Sequence, residues 1–276
     1  MNKHIISIQS QVAHGYVGNN IAGLAIQLHG IAPIALPTVI LSNPVDYKYT
    51  YGSPVEKTLF CDLLKGVVIN QFIDQCDYLI SGYCNSKDII SSISDFVQKT
   101  KTSKEYMYIY DPVCGDIRSG GLYIPKEIAD YSITQLLPLS DIITPNKFEL
   151  EYILKEEIET EYQLLHAVQA HDILKKKTVI ATSMSFEDTP EENIEVVLIK
   201  DNEIKRFVSS RLPIDVVGTG DLFTAIVTSQ LNLSKSIEQA IKKGITYLHA
   251  VLTDTYKQGN KELVTSILIK HMNILQ

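Results

Sequence analysis

Two glycines and an acid in Val216-Val217-Gly218-Thr219-Gly220-Asp221-Leu222-Phe223 join an apolar run to a helical pattern. A Gly-Thr-Gly turn carries little side-chain bulk, and a helix starting there aims unpaired N–H groups and partial positive charge outward. Gly218, Thr219 and Gly220 are therefore a candidate anion hole. Asp221 stands at its mouth, where a carboxylate either caps the helix or takes the proton of an attacking hydroxyl. From this segment alone the cap is the simpler reading.

Other chemistry-bearing residues are spread along the chain. Ser10 opens the loop before a helix, where it offers a hydroxyl to a ligand or to its own backbone. Asp111 and Asp116 flank Pro-Val-Cys-Gly after a strand. Paired acids there could keep a hydrated magnesium beside phosphates, or form a solvated turn. Asn146 and Glu149 have the three-residue spacing of a capping box, as do Thr160 and Gln163, for which only the structural role is expected.

Strand–loop–helix junctions must position these groups. Strands are expected at 4–9, 33–41, 77–83, 106–110, 141–146 and 178–182, with a hairpin at 196–200 and 204–208 turning at Asp201-Asn202. Helices are expected at 19–29, 56–75, 88–99, 147–154, 160–174, 222–231, 237–252 and 261–275, and long loops at 42–53 and 183–193. This alternation predicts an α/β fold, a central mostly parallel sheet with helices on both faces. Ser10, Tyr83, Asp111, Thr144, Asn146, Thr182 and Gly218 then gather along one sheet edge, where open α/β folds bind ligands.

The 276 residues, 45% hydrophobic, suit one domain over 1–276. A formal charge of −7 argues against nucleic-acid or membrane-surface partners. The absence of a leader pattern or an apolar span predicts a soluble, cytoplasmic protein. Cys61, Cys76, Cys84 and Cys114 lack metal spacing and are expected reduced. Neither a P-loop nor a G-x-G-x-x-G dinucleotide motif is present.

Most of the chain resembles the pyridoxal kinases of the ribokinase-like superfamily. The resemblance rests on the 8–19 segment with its Gln9-Ser10 and Gly15-Tyr16-Val17-Gly18-Asn19, on Ser42-Asn43, Ser81-Gly82-Tyr83, Asp111-Pro112-Val113-Cys114-Gly115-Asp116, Thr144-Pro145-Asn146-Lys147-Phe148-Glu149 and Gly218-Thr219-Gly220-Asp221. It implies transfer of the ATP γ-phosphoryl group to the 5′-hydroxymethyl of pyridoxal, with Asp221 as base. It also implies Asp116, Asn146 and Glu149 around magnesium, Asp111 near the phosphates with a monovalent cation such as potassium, and Thr144, Thr182, Thr219 and Glu149 at the nucleotide. Ser10, Val17, Val39, Leu41 and Tyr83 would surround the ring, and a homodimer is implied.

The chain departs from that pattern at Pro44-Val45, where the family usually has His-Thr, and at Gln11, where histidine is common. The missing hydroxyl leaves the vitamer open among pyridoxal, pyridoxine and pyridoxamine. Hydroxymethyl-pyrimidine kinase and a non-catalytic vitamer or nucleotide binder are the alternatives.

Overall fold

Alternating side chains along each central strand point to opposite sheet faces and need a helical layer on both. The computed structural model describes residues 4–276, and it meets this demand with strands β1 (His4–Val12), β2 (Ala32–Leu41), β3 (Gly52–Pro54), β4 (Cys76–Ser81), β5 (Met107–Tyr110), β6 (Gly115–Asp116), β7 (Gly121–Leu122), β8 (Ile142–Ile143), β9 (Thr178–Met184), β10 (Asn193–Lys200) and β11 (Glu203–Ser210). The helices are α1 (Gly18–Leu28), α2 (Lys57–Ile69), α3 (Lys87–Lys101), α4 (Lys126–Leu136), α5 (Lys147–Leu154), α6 (Glu161–Ala170), α7 (Thr219–Asn232), α8 (Ile237–Lys257) and α9 (Thr265–Lys270).

Among the described residues, nine strands form one sheet in the order β11-β10-β9-β8-β5-β4-β1-β2-β3, while β6 and β7 make a small ribbon. The six strands from β9 to β2 pair in parallel, and β3, β10 and β11 add antiparallel edges. Ile6, Leu79, Tyr108, Ile143, Val179 and Val197 face a core shared with α2 to α6. Their neighbours Ile5 and Ile80 pack with α1, α7 and α8, and Ile109, Ile142, Ile180 and Leu198 with α7 and α8. The mostly parallel, two-faced sheet is thus as the sequence predicts.

Several boundaries differ. The helix expected over 56–75 stops at Ile69, because the Asn70 side chain donates to Gly66 O at 2.9 Å and Gln71 turns left-handed at φ 58°. The helix expected to 174 ends at Ala170, where extended His171 uses Nδ1 to cap the N–H groups of Ile173 and Leu174. The C-terminal helix is confined to α9 and a short 3-10 turn, whereas β1 and α8 run three and five residues beyond their expected ends. Helix α4 has no counterpart in the pattern reading, since only Ala129 and Leu136 of it are buried.

Helix α7 is seated by a close crossing with α8. A Cβ on Gly244 would lie 2.8 Å from the ring of Phe223, which is 1% exposed and cannot swing away. Gly244→Ala would gain helix propensity of about 1 kcal/mol but overpack a closed contact. The expected net effect is destabilisation by about 1–3 kcal/mol in urea unfolding.

Candidate active site

A register shift between β1 and β2 sets the first half of the site. Gln9 pairs with Pro37 and Gln11 with Ile40, so β2 carries one extra residue and Ser10 on β1 stands opposite Thr38 and Val39 together, without a regular place in the ladder. Beside it, the Ser7 hydroxyl donates to Asn19 Oδ1 at 2.8 Å, and Asn19 Nδ2 donates to the carbonyls of Gln9 and Leu36. This buried network pins the start of α1 against β1 and β2. Gly18 there has φ 52°, and a Cβ on it would stand 2.2 Å from Ser10 Oγ.

The second half arrives from the other end of the chain. Gly218, at φ 83°, brings its Cα so close to the Tyr16 carbonyl that a Cβ would lie 1.9 Å from that oxygen. Two left-handed glycines therefore bring the loop before α1 and the turn before α7 into contact. Across this junction the Gly18 N–H donates to Asp221 Oδ2 at 2.8 Å. The residue at the α7 N-cap is Gly218, with no side-chain cap. Asp221 thus spends its oxygen on α1 and not on its own helix, which settles the question the sequence left open against the cap. Burial raises its pKa to about 6, the Gly18 N–H opposing the rise. Gly220 is exposed, and a Cβ there would meet nothing.

Next to this pair lies an acidic, buried cluster. The Thr224 hydroxyl, one turn along α7 from Asp221, lies 3.1 Å from Asp111 Oδ2 and 3.0 Å from Thr144 Oγ1. Asn146 and Glu149 form the expected capping box in both directions. Glu149 does more than cap, since its Oε1 also accepts the Cys114 N–H at 3.0 Å, and Asn146 Nδ2 donates to Gly115 O at 2.8 Å. Thr182 joins through a bridge to Asn146, its N–H donating to Pro145 O. Burial, then the charges of Glu149 and Asp221, drive the Asp111 pKa well upward, and burial also raises that of Glu149.

Asp111 and Glu149 are 4% and 3% exposed. Among the described residues no lysine, arginine or histidine forms an ion pair with either of them or with Asp221. Buried acids in this condition are short of positive charge and fit a cation. No group of three or more His, Cys, Asp or Glu among the described residues could cage a metal directly. Asp116 is different. Burial works to raise its pKa, but bonds from the Arg118 side chain and backbone outweigh that and lower it.

Ser10 and Val39 are buried, and Val17, Leu41 and Tyr83 partly so. Tyr83 stacks at 6.5 Å on Tyr123, a residue the sequence reading missed. Burial, then Glu149, Asp221 and Asp111, raise the Tyr123 pKa, so its phenol stays a donor beside three acids. Thr224 and Gly18 were also missed as site residues; a threonine on the apolar stripe of α7 was the available signal for the former. Gln11 donates to Asn20 Oδ1 at 2.6 Å. Val45 is 46% exposed. A cavity of about 380 Å³ lined by Gln27, His29, Gln230 and Lys235 lies at the opposite edge of the sheet.

The raised Asp221 pKa has a sign that can be measured. A carboxyl whose folded pKa exceeds its ordinary 3.8 stabilises the fold below that value and loses the contribution as pH rises through about 6. Ionised Asp221 therefore costs stability at pH 8. Asp221→Asn, which keeps an acceptor for Gly18, is expected to stabilise the protein by about 1–3 kcal/mol at pH 8 and by almost nothing at pH 4, read by urea unfolding at both.

This arrangement has known counterparts. The phosphomethylpyrimidine kinase family model matches residues 51–266. A pyridoxal kinase of Leifsonia xyli is 31% identical over 94% of this chain and 92% of that protein, and the pyridoxal kinase of Homo sapiens is 30% identical over 91% and 85%. The structure of Leishmania donovani pyridoxal kinase in complex with ADP and pyridoxamine superimposes with a TM-score of 0.84 at 28% identity, covering 99% of this chain and 96% of that one. The chain belongs to the family that the phosphomethylpyrimidine kinase model describes, and within it to the pyridoxal kinases.

Proposed function

We propose that this protein is an ATP-dependent kinase that phosphorylates the 5′-hydroxymethyl group of pyridoxal and its B6 relatives, giving pyridoxal 5′-phosphate in vitamin salvage. The observation that carries this is the Asp221 carboxylate, freed from capping its own helix and held 2.8 Å from Gly18 N beside Ser10. Its pKa near 6 leaves it ionised at neutral pH yet still basic enough to take a proton. A residue that weakens the fold when ionised suits a proton-transfer site better than a passive binder.

In this reading the substrate hydroxyl gives its proton to Asp221 while its oxygen bonds to the γ-phosphorus. The bond from that phosphorus to the departing ADP oxygen breaks. The N–H groups of Gly218, Thr219 and Gly220 at the start of a 14-residue helix receive the phosphoryl oxygens as charge spreads over them. Room around Gly220 lets a phosphate approach the backbone closely. Asp116, Asn146 and Glu149 would hold magnesium through water, and magnesium bound with the nucleotide offsets phosphate charge. Asp111, Thr144 and Thr182 would take a monovalent cation and phosphate oxygens. Ser10 orients the ring between Val17, Val39, Leu41 and Tyr83, and the Tyr83–Tyr123 stack closes one side.

The Leishmania complex with ADP and pyridoxamine supports this assignment. Hydroxymethyl-pyrimidine kinase is the second reading, favoured by the family model's own description and by Val45 replacing a hydroxyl. Residues 4–276 act as one kinase domain, consistent with their continuous sheet. Leu59, Leu63 and Ile69 on α2 and Ile40 on β2 are exposed apolar side chains that would suit a homodimer contact. Four free cysteines suit a cytoplasmic protein, and no helix among the described residues is long and apolar enough to cross a membrane.

A turnover screen with magnesium, ATP, the three B6 vitamers and hydroxymethyl-pyrimidine tests the reading, compared as kcat/KM. Pyridoxal should lead; no ADP from any vitamer would overturn the proposal, and a clear preference for the pyrimidine would establish the second reading. For the best substrate kcat should rise through about pH 6 as Asp221 loses its proton. Asp221→Ala should lower kcat by about 10²–10⁴-fold while ADP binding, read by calorimetry, persists.

A further inference from the structure

Arg118 bonds both Asp116, beside Gly115, and Asp215, on the segment that leads to Gly218. It lies in the short 3-10 turn Ile117–Ser119, directly after Asp116. One edge of its guanidinium is anchored: Nε donates to Asp116 Oδ1 at 3.1 Å and Nη2 to Oδ2 at 2.8 Å, while its backbone N–H donates to Oδ1. The other edge reaches across to Asp215, whose Oδ1 accepts from Nη1 at 2.8 Å. Asp215 stands three residues before Gly218, on the segment that enters the anion hole. Asp116 adjoins Gly115, whose carbonyl is bonded by Asn146. The guanidinium therefore spans the mouth between the Asn146/Glu149 side and the Gly218 side.

The two edges are held very differently. Asp116 gives a planar, forked pair to the guanidinium from a side chain only 19% exposed, whereas the Asp215 side chain is 74% exposed. An exposed ion pair is weak and exchangeable, and phosphate oxygens are better partners for the fixed donors of arginine. Lys147, next to Asn146 in the chain, is engaged with the Ser185 carbonyl and Glu151. A site carrying Asp111, Asp116, Glu149 and Asp221 must nonetheless accept a polyanion, and Arg118 is placed to relieve that repulsion.

We propose that Arg118 binds the nucleotide polyphosphate: Nη1 exchanges Asp215 for a phosphate oxygen while Nε and Nη2 stay on Asp116, and Asp215 is its resting partner in the free protein. The proposal rests on the kinase reading and makes Asp215 a competitor of the nucleotide. A rigid tie between the two loops would instead make both residues helpers.

The signs of two substitutions separate these cases. ADP binding with magnesium is measured by calorimetry, with steady-state KM for ATP and for pyridoxal alongside. Wild-type protein that binds no ADP would sink the kinase reading itself. With wild-type binding present, Arg118→Met should weaken ADP and raise the KM for ATP by about 10-fold, with little change in the KM for pyridoxal. Asp215→Asn should leave ADP binding as tight or tighten it by about 2-fold. Loss of affinity in both variants, or no change in Arg118→Met, would overturn the proposal. Melting temperatures of the two variants close to wild type ensure that the comparison reads binding, as expected for side chains 52% and 74% exposed.

Discussion

The hydrogen bond from Gly18 N–H to Asp221 is the constraint on which the rest of the site depends. It joins residues 203 positions apart, and it can form only because neither Gly18 nor Gly218 carries a Cβ. At Gly18 the space is filled by Ser10, and at Gly218 by the Tyr16 carbonyl. The bond links α1, the first crossover helix of the parallel sheet, to α7, which follows the last strand, so Asp221 and Ser10 are placed by one contact. It also opposes, without cancelling, the desolvation that raises the Asp221 pKa. The carboxylate is thereby kept ionisable near neutrality in surroundings that disfavour its charge.

Around that contact the protein gathers buried carboxyl groups whose pKa values burial raises, unrelieved by a cationic partner among the described residues. Asp111 and Glu149 are buried with hydroxyl and amide donors but no cationic side chain among the described residues. Elsewhere in the chain acids are treated otherwise. Glu195, 2% exposed, is met by Arg206, which also holds Asp188. The contrast within one molecule separates an acid paired with arginine from acids left without a cationic partner among the described residues.

Supporting elements explain how the site is held in register. The Ser7–Asn19 network and the extra residue of β2 opposite Ser10 hold Ser10 in place, while the Gly244–Phe223 crossing seats α7 from behind. Thr224 ties the same helix to Asp111 and Thr144 on two different strand ends. Gly218 at the N-cap and Asp221 and Thr224 in the first turns of α7, spaced three residues apart, thus meet Tyr16, Gly18, and Asp111 with Thr144, as expected for residues about one turn apart on a helix face.

The sequence by itself determined the strand–helix alternation, the parallel sheet, the capping boxes and the set of residues at the carboxyl edge. These follow from periodicity and from short-range spacing, which a linear reading can measure. It misplaced the ends of α2 and α6, because Asn70 and His171 stop those helices through side-chain bonds that periodicity does not register. It passed over α4, where few residues are buried, and over Tyr123, Thr224 and Arg118, whose partners are distant in the chain. Whether Asp221 caps its own helix or bonds another part of the chain was undecidable from Gly-Thr-Gly-Asp, since both need the same residues at the same spacing. Only the tertiary structure decided it, by bringing the Gly18 N–H within 2.8 Å of the carboxylate. A long-range contact depends on how crossovers stack across a sheet, and local sequence carries no measure of that.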